Sequence, residues 1–132
     1  MSVLVDTNVI LDLVTDDPRW AEWSESKLDE YKHEPCLINE IIFTELCVGA
    51  ENLDEVLQLT GELHLKTEPL TPVALYIAAK AFKKYRAQSG QKDSPLPDFY
   101  IGAQAEDLKI PILTRDPTRF RYYFPSVECI AP

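Results

Sequence analysis

The sequence is short of the residues that build the commoner kinds of site. Its three cysteines, Cys36, Cys47 and Cys129, are odd in number, sit in apolar segments and lack paired metal-ligand spacing, so they read as buried reduced thiols. The two histidines, His33 and His64, are solitary and fall near element ends, which leaves them unsupported as ligands. No apolar run is long enough to cross a membrane, and no secretory signal, internal repeat or low-complexity tract is visible. A soluble, cytoplasmic protein without membrane contact is expected. Basic residues are also outnumbered: 13 of them against 22 acids give a formal charge of −9. This charge disfavours a general polyanion-binding surface, so any contact with nucleic acid must be local. The local candidates are Lys80, Lys83, Lys84 and Arg86 with Lys92 beyond them, and a tail cluster of Arg115, Arg119, Arg121, Tyr122 and Tyr123. A solvated helix face accounts equally well for the first group.

What is present suits one domain. The chain's 132 residues, 45% of them hydrophobic, can build one sizeable core, so a single domain over 1–132 is expected. A strand over 2–6 leads into a short helix from 7 or 8 to 14, and Asp17-Pro18 opens a second helix reaching about 31. A strand over 35–38 precedes helices over about 39–50 and 53–63, the latter announced by Asn52 with Glu55 three residues on, a capping-box pattern. Residues 64–67 read as a weak third strand. Thr71-Pro72 opens a long helix on which Val73, Ile77, Ala81, Phe82 and Tyr85 keep helical spacing, and Gly90 ends it. A loop over 91–96, a helix carrying Asp98, a strand over 110–114 and a last strand over 127–130 complete the chain. Such alternation predicts an α/β fold on a mostly parallel sheet.

Four acids stand where a soluble domain would avoid them. Asp6 closes the apolar run 2–5, and Asp116 follows the β-branched run 110–114 by one residue, so both belong at carboxyl ends of parallel strands, where such sheets bind ligands. Glu45 shares a helical face with Ile41, Ile42, Val48 and Gly49, whereas Glu40 lies well round the cylinder and meets water. Asp98 falls in a first helical turn on a face with Ile101, Gly102 and Ala105, where the small residues let the helix approach the sheet. Taken singly, Asp98 and Asp116 read more simply as a cap, a turn residue or half of an ion pair. Taken together, buried carboxylates call for a cation, and hard oxygen donors without paired histidine or cysteine select Mg²⁺ or Mn²⁺. One or two such ions would activate water and stabilise charge at a phosphodiester. Asn8 and Thr114, each two residues from one of the acids, are placed to hold the carboxylates or a water by hydrogen bonds.

At these residues the chain resembles a known family. Val5-Asp6-Thr7-Asn8-Val9, Thr44-Glu45-Leu46, Pro97-Asp98-Phe99-Tyr100-Ile101-Gly102-Ala103 and Leu113-Thr114-Arg115-Asp116-Pro117 are similar to the successive motifs of PIN-domain ribonucleases. The similarity runs on through Phe120, Tyr123-Phe124-Pro125 and Ile130-Ala131-Pro132, an ending common among VapC-type toxins, and so covers essentially the whole chain. The resemblance implies a PIN-like three-layer sandwich, a mostly parallel sheet between helices. It implies an endoribonuclease dependent on Mg²⁺ or Mn²⁺, with Asp6, Glu45, Asp98 and Asp116 as catalytic and metal-binding acids and Asn8 and Thr114 in support. Arg115, Arg119, Lys83, Lys84 and Arg86 become the candidate RNA contacts. It further implies the toxin of a type II toxin–antitoxin pair, a homodimer whose antitoxin reaches a basic side chain into the acidic pocket. Trp20 and Trp23, with several apolar helix faces, offer surface for a dimer. One departure is that Gly102 replaces a usual alanine, a mild change as sequence.

A receiver-type phosphotransfer protein would need an acidic pair at the first strand and a lysine after the last, and a haloacid-dehalogenase-like phosphatase would need a second aspartate where Asn8 stands. Neither requirement is met. A non-catalytic PIN-like module that binds RNA or protein, and a stand-alone RNA-processing nuclease, are the remaining alternatives.

Overall fold

Short runs of aliphatic residues, apolar on both faces, make the middle of the sheet. In the computed structural model, which describes residues 1–89 and 96–132, the strands are β1 (Val3–Val5), β2 (Cys36–Ile38), β3 (Leu65–Thr67), β4 (Ile112–Leu113) and β5 (Cys129–Ile130). Every residue of β1, β2 and β4 is buried, as expected of a parallel sheet covered on both faces, while β3 and β5 are partly exposed. The strand order is β3-β2-β1-β4-β5, and all four pairings are parallel, with Leu4 opposite Leu37 on one side and Ile112 on the other. The chain steps from β1 outward to β2 and β3, then returns to lay β4 on the opposite flank of β1. The crevice above the carboxyl ends of β1 and β4 is therefore the point where the winding reverses, the place such sheets leave open for a ligand.

Seven helices accompany the strands among the described residues: α1 (Thr7–Val14), α2 (Ala21–Glu30), α3 (Glu40–Val48), α4 (Leu53–Glu62), α5 (Pro72–Ser89), α6 (Leu96–Leu108) and α7 (Thr118–Tyr123). Three begin on side-chain caps, of which the sequence announces the one at Asn52. Asp6 receives the Thr7 N–H at 2.7 Å, Asn39 the Ile42 N–H at 2.9 Å, and Asn52 the Glu55 N–H at 2.9 Å. Glu55 reciprocates to Glu51 N–H at 3.0 Å, one residue earlier than a standard capping box. The helix carrying Asp98, α6, is apolar on most sides, with Phe99 and Ile101–Ala105 buried, and is the helix packed between α3, α5 and α7.

Several boundaries differ from those expected. The second helix starts at Ala21 because the Asp17 carboxylate first takes the Arg19 and Trp20 N–H groups at 2.8 and 2.9 Å in a turn. His64 (φ 55°) and Lys109 (φ 57°) adopt left-handed backbone conformations that stop the preceding helices, so β3 begins at Leu65 and β4 is shortened to Ile112–Leu113. The helix α7 was not anticipated at all. The expected helix end at Gly90, the loop from Gln91 and the basic residue Lys92 lie outside the described residues. Gly102 does not admit the sheet. An added Cβ there would stand 2.3 Å from the Phe124 ring, so the glycine makes room for the tail that follows α7, and alanine in its place would be no mild change.

Cys36 is buried and Cys47 and Cys129 are half-buried, all three as free thiols, with Cys36 Sγ 3.4 Å from the Tyr31 carbonyl. No helix among the described residues is long and apolar enough to cross a membrane. Trp20 and Trp23 pack edge to face on each other at 6.5 Å, with the Arg19 and Arg115 guanidinium groups 4.9 and 5.8 Å from the Trp20 ring. The tryptophans are thus largely engaged within the chain.

Candidate active site

The reversal of the winding puts two acids side by side. Asp6 follows β1 directly and Asp116 follows β4 by three residues, and the two loops are tied by Asp6 N–H to the Leu113 carbonyl at 2.9 Å. The cap at Asn39 starts α3 at the carboxyl edge of β2 and carries Glu45 to the second turn of that helix. Asp98 enters from the first turn of α6. Asp6, Glu45, Asp98 and Asp116, together with Thr7, Asn8 and Leu11, line one cavity of about 240 Å³. Residues separated by 110 positions in sequence thereby share one opening.

Hydrogen bonds fix the inner wall. Thr114 Oγ1 donates to Asp6 Oδ2 at 2.8 Å and accepts the Asp116 N–H at 3.1 Å, so one hydroxyl spaces the two aspartates. Asn8 links the same loops, Nδ2 donating to Thr114 Oγ1 and Oδ1 accepting the Arg115 N–H, both at 3.4 Å. Glu45 Oε1 accepts from Thr7 Oγ1 at 2.6 Å. Asp98 Oδ2 accepts from the Arg119 guanidinium at 2.7 Å. Glu45 is half-buried rather than sunk in an apolar stripe, since Val48 on its side of the helix is 83% exposed while Ile42 and Leu46 are buried. Glu40 is exposed, as expected, and its carboxylate caps the Leu70 N–H at 3.0 Å.

The electrostatics show carboxylates in excess. Burial pushes the Asp6 carboxyl up to about 7, against lowering by the Thr114 and Thr7 hydrogen bonds, and the Asp98 and Glu45 charges push it the same way. Asp98 is also raised, by burial first; the Arg119 hydrogen bond and charge oppose this, and Asp116 adds to it. Among the described residues, four acids thus face one guanidinium. That is the donor set of a hard divalent cation. As they stand, however, no three Asp, Glu, His or Cys side chains among the described residues are grouped closely enough to hold one ion, and two of the four acids are engaged by Thr7 and Arg119.

Three site-building residues escaped the sequence reading. Sequence marks Thr7 only as a possible helix start, yet its hydroxyl holds Glu45. Arg119 was assigned to RNA, yet in the structure it is the counter-ion of Asp98. Asp12, passed over on α1, is 2% exposed and accepts from Arg115 Nε at 3.0 and 3.1 Å and from Ser24 Oγ at 2.8 Å. Arg115 is thereby fastened to α1 and α2, and the turn before Asp116 is fastened with it. The only available signal was an aspartate on the apolar run 9–14, which has no solvent-facing reason to be there. Lys83, Lys84 and Arg86 lie exposed along α5.

The PIN-domain family model matches residues 3–124. Among solved structures, VapBC2 from Rickettsia felis, bound to a DNA fragment from their promoter, contains a chain similar over 99% of this one and 98% of its own, with TM-score 0.74 at 13% identity. DNA-bound VapBC from Salmonella typhimurium gives TM-score 0.73 at 18% identity over 99% and 98% of the two chains. FitAcB from Neisseria gonorrhoeae gives 0.68 at 24% over 97% and 96%. At such identities the likeness is one of fold. No curated protein matches the sequence.

Proposed function

This chain belongs to the PIN-domain family, and we propose that its acidic cavity is the centre of a metal-dependent endoribonuclease, the toxin of a type II toxin–antitoxin pair acting in the cytoplasm. The observation that carries the reading is the convergence of Asp6, Glu45, Asp98 and Asp116 on one cavity at the winding reversal, with too little positive charge to balance them. Asp6 and Asp116, spaced by Thr114, and Asp98 and Glu45 opposite them are the residues that would hold Mg²⁺ or Mn²⁺. When bound, the ion supplies a water activated for attack and compensates charge at the scissile phosphate. Thr114 and Asn8 keep the two strand-end loops in register. Thr7 keeps Glu45 turned inward. Arg119 balances Asp98 while the pocket is metal-free and can turn to a phosphate oxygen once Asp98 is otherwise engaged.

The antitoxin reading is supported by the VapBC complexes among the neighbours and by a groove beside the site. Leu11, Val14, Leu46, Ala50, Val56 and Leu59 line an apolar cleft of about 410 Å³ between α1, α3 and α4, and Leu11 also lines the acidic cavity. An amphipathic segment laid in that cleft would bring a basic side chain to the carboxylates. A homodimer is proposed with it, without assigning its face.

The test is cleavage of unstructured RNA. Wild type should cut with Mn²⁺ or Mg²⁺ and stop in EDTA, and Glu45→Gln should lose about 10²-fold or more while Glu40→Gln stays within about 2-fold. Undiminished cleavage in chelator, or the reverse ranking of the two glutamates, would remove the metal centre.

A further inference from the structure

Two cavities continue from the acidic one along the outside of α5 and α7. The first, of about 540 Å³, shares Asp98 and Asp116 with the acidic cavity and is otherwise lined by Tyr85, Thr118, Arg119, Tyr122 and Tyr123. The second, of about 330 Å³, shares Tyr123 with the first and is lined further by Tyr76, Ile77, Lys80, Lys84 and Glu106 among others. Cations and rings alternate along the path. Arg119 stands 6.0 Å from the Tyr85 ring, Lys84 5.7 Å from Tyr122 and Lys80 5.1 Å from Tyr76. Tyr122 and Tyr76 are 59% and 64% exposed. Such large rings on the surface carry π-faces that a core would have used, and the cations beside them lie on a molecule of charge −9.

We propose that this path is the track of a single RNA strand leaving the catalytic cavity, with Tyr122 as the platform for the base next to the scissile phosphate and Tyr76 as a second platform beyond it. The inference rests on the nuclease reading of the acidic cavity and adds the direction in which the substrate lies. Arg119, shared between Asp98 and the first cavity, meets the phosphate nearest the acids once Asp98 is otherwise engaged. Lys84 and Lys80, one helical turn or about 6 Å apart, meet successive phosphates of an extended strand. Stacking on an aromatic ring tolerates any base, and single-strand sites combine it with a basic path in this way. A second copy of the chain suits the face less well, because it would set Lys80, Lys84 and Arg119 against their own equivalents. The track also sorts the basic residues: Arg119 and Lys84 lie on it, Arg115 is held by Asp12, and Lys83 and Arg86 line neither cavity.

The test is binding of a labelled, unstructured RNA of about eight nucleotides, read by fluorescence anisotropy in EDTA at low salt. Tyr122→Ala should raise Kd by about 5- to 100-fold and Tyr122→Phe by less than about 2-fold, since only the ring is needed. Lys80→Gln combined with Lys84→Gln should lower the slope of log affinity against log salt by about 1.4, two phosphates' worth, while Lys83→Gln leaves it unchanged. Wild-type affinity in Tyr122→Ala and the lysine double variant, or no binding by wild type, overturns the track. So does a monomer–dimer equilibrium that shifts in Tyr76→Ala or Tyr122→Ala at constant RNA affinity, which gives the face to a second copy. The two readings separate cleanly. Metal-dependent cleavage with unchanged KM in Tyr122→Ala keeps the nuclease and loses the track, whereas ring-dependent binding without cleavage keeps the track and loses the nuclease.

Discussion

Asp6 is at once a helix cap, a strand terminus and the most perturbed acid of the pocket. Its carboxyl, raised by burial to about 7, is mostly protonated in the folded metal-free protein below that pH. A group raised above its unfolded value stabilises the fold below that unfolded value and ceases to do so as pH climbs through the folded one. Metal-free protein should therefore lose stability as pH rises from about 4 to about 7, by an amount on the order of a few kcal/mol, and Asp6→Asn should flatten that slope. Urea titrations in EDTA across this range check it; a slope unchanged in Asp6→Asn would place the titration elsewhere. Gly102 makes a second prediction. With the Phe124 ring 2.3 Å from any added Cβ, Gly102→Ala should cost about 1–3 kcal/mol in the same titration. Sequence exposed the four acids because each stood beside apolar residues without an evident partner. It could not expose Thr7 or Arg119, whose roles depend on atoms 38 and 21 residues away in the chain.

At the scale of elements, the strand-to-helix joints were legible and the tail was not. Asn52 announces α4 through a cap that is local, one residue bonding three residues on, and the unannounced cap of Asn39 on α3 has the same spacing. The helix α7 has six residues, no side-chain cap and one buried side chain, Phe120, so it carries too little pattern to be read; packing of Phe120 and Phe124 against the α6 side holds it instead. Positive φ at His64 and Lys109 likewise has no sequence mark, since neither is glycine. The Asp12–Arg115–Ser24 cluster joins α1, α2 and the turn after β4. Arg115→Ala strips the buried Asp12 carboxylate of its cation and should destabilise by about 2–4 kcal/mol. Because Arg115 holds a turn and not substrate, KM for RNA should stay within about 2-fold of wild type at temperatures where the variant is folded; a large rise in KM would return Arg115 to the RNA contacts.

For the whole molecule, the surplus of acids over the one guanidinium that meets them in the pocket, among the described residues, sets the energetics. Two carboxylates about 5 Å apart at an effective dielectric of about 20 repel by roughly 3 kcal/mol, and Arg119 relieves only Asp98. A cation bound at 100 times its Kd should add about 2.7 kcal/mol to stability. Asp98→Asn removes a repulsion and a half-exposed ion pair together, so in EDTA it should melt close to wild type and yet lose most of the metal-dependent rise in Tm. The parallel sheet followed from alternating apolar segments, whereas the order of its strands and the convergence of the acids depend on the winding reversal between β1 and β4, which no local pattern records.

The proposed metal-dependent ribonuclease centre of four carboxylates is tested most directly at Asp116, the exposed member of the four and so the one whose replacement is least able to act through folding. Mn²⁺-dependent cleavage of unstructured RNA should be detectable in wild type, and in Asp116→Asn it should fall by about 10²-fold or more with Tm in EDTA unchanged or raised. Cleavage by Asp116→Asn at the wild-type rate, in the presence of Mn²⁺, would contradict the account.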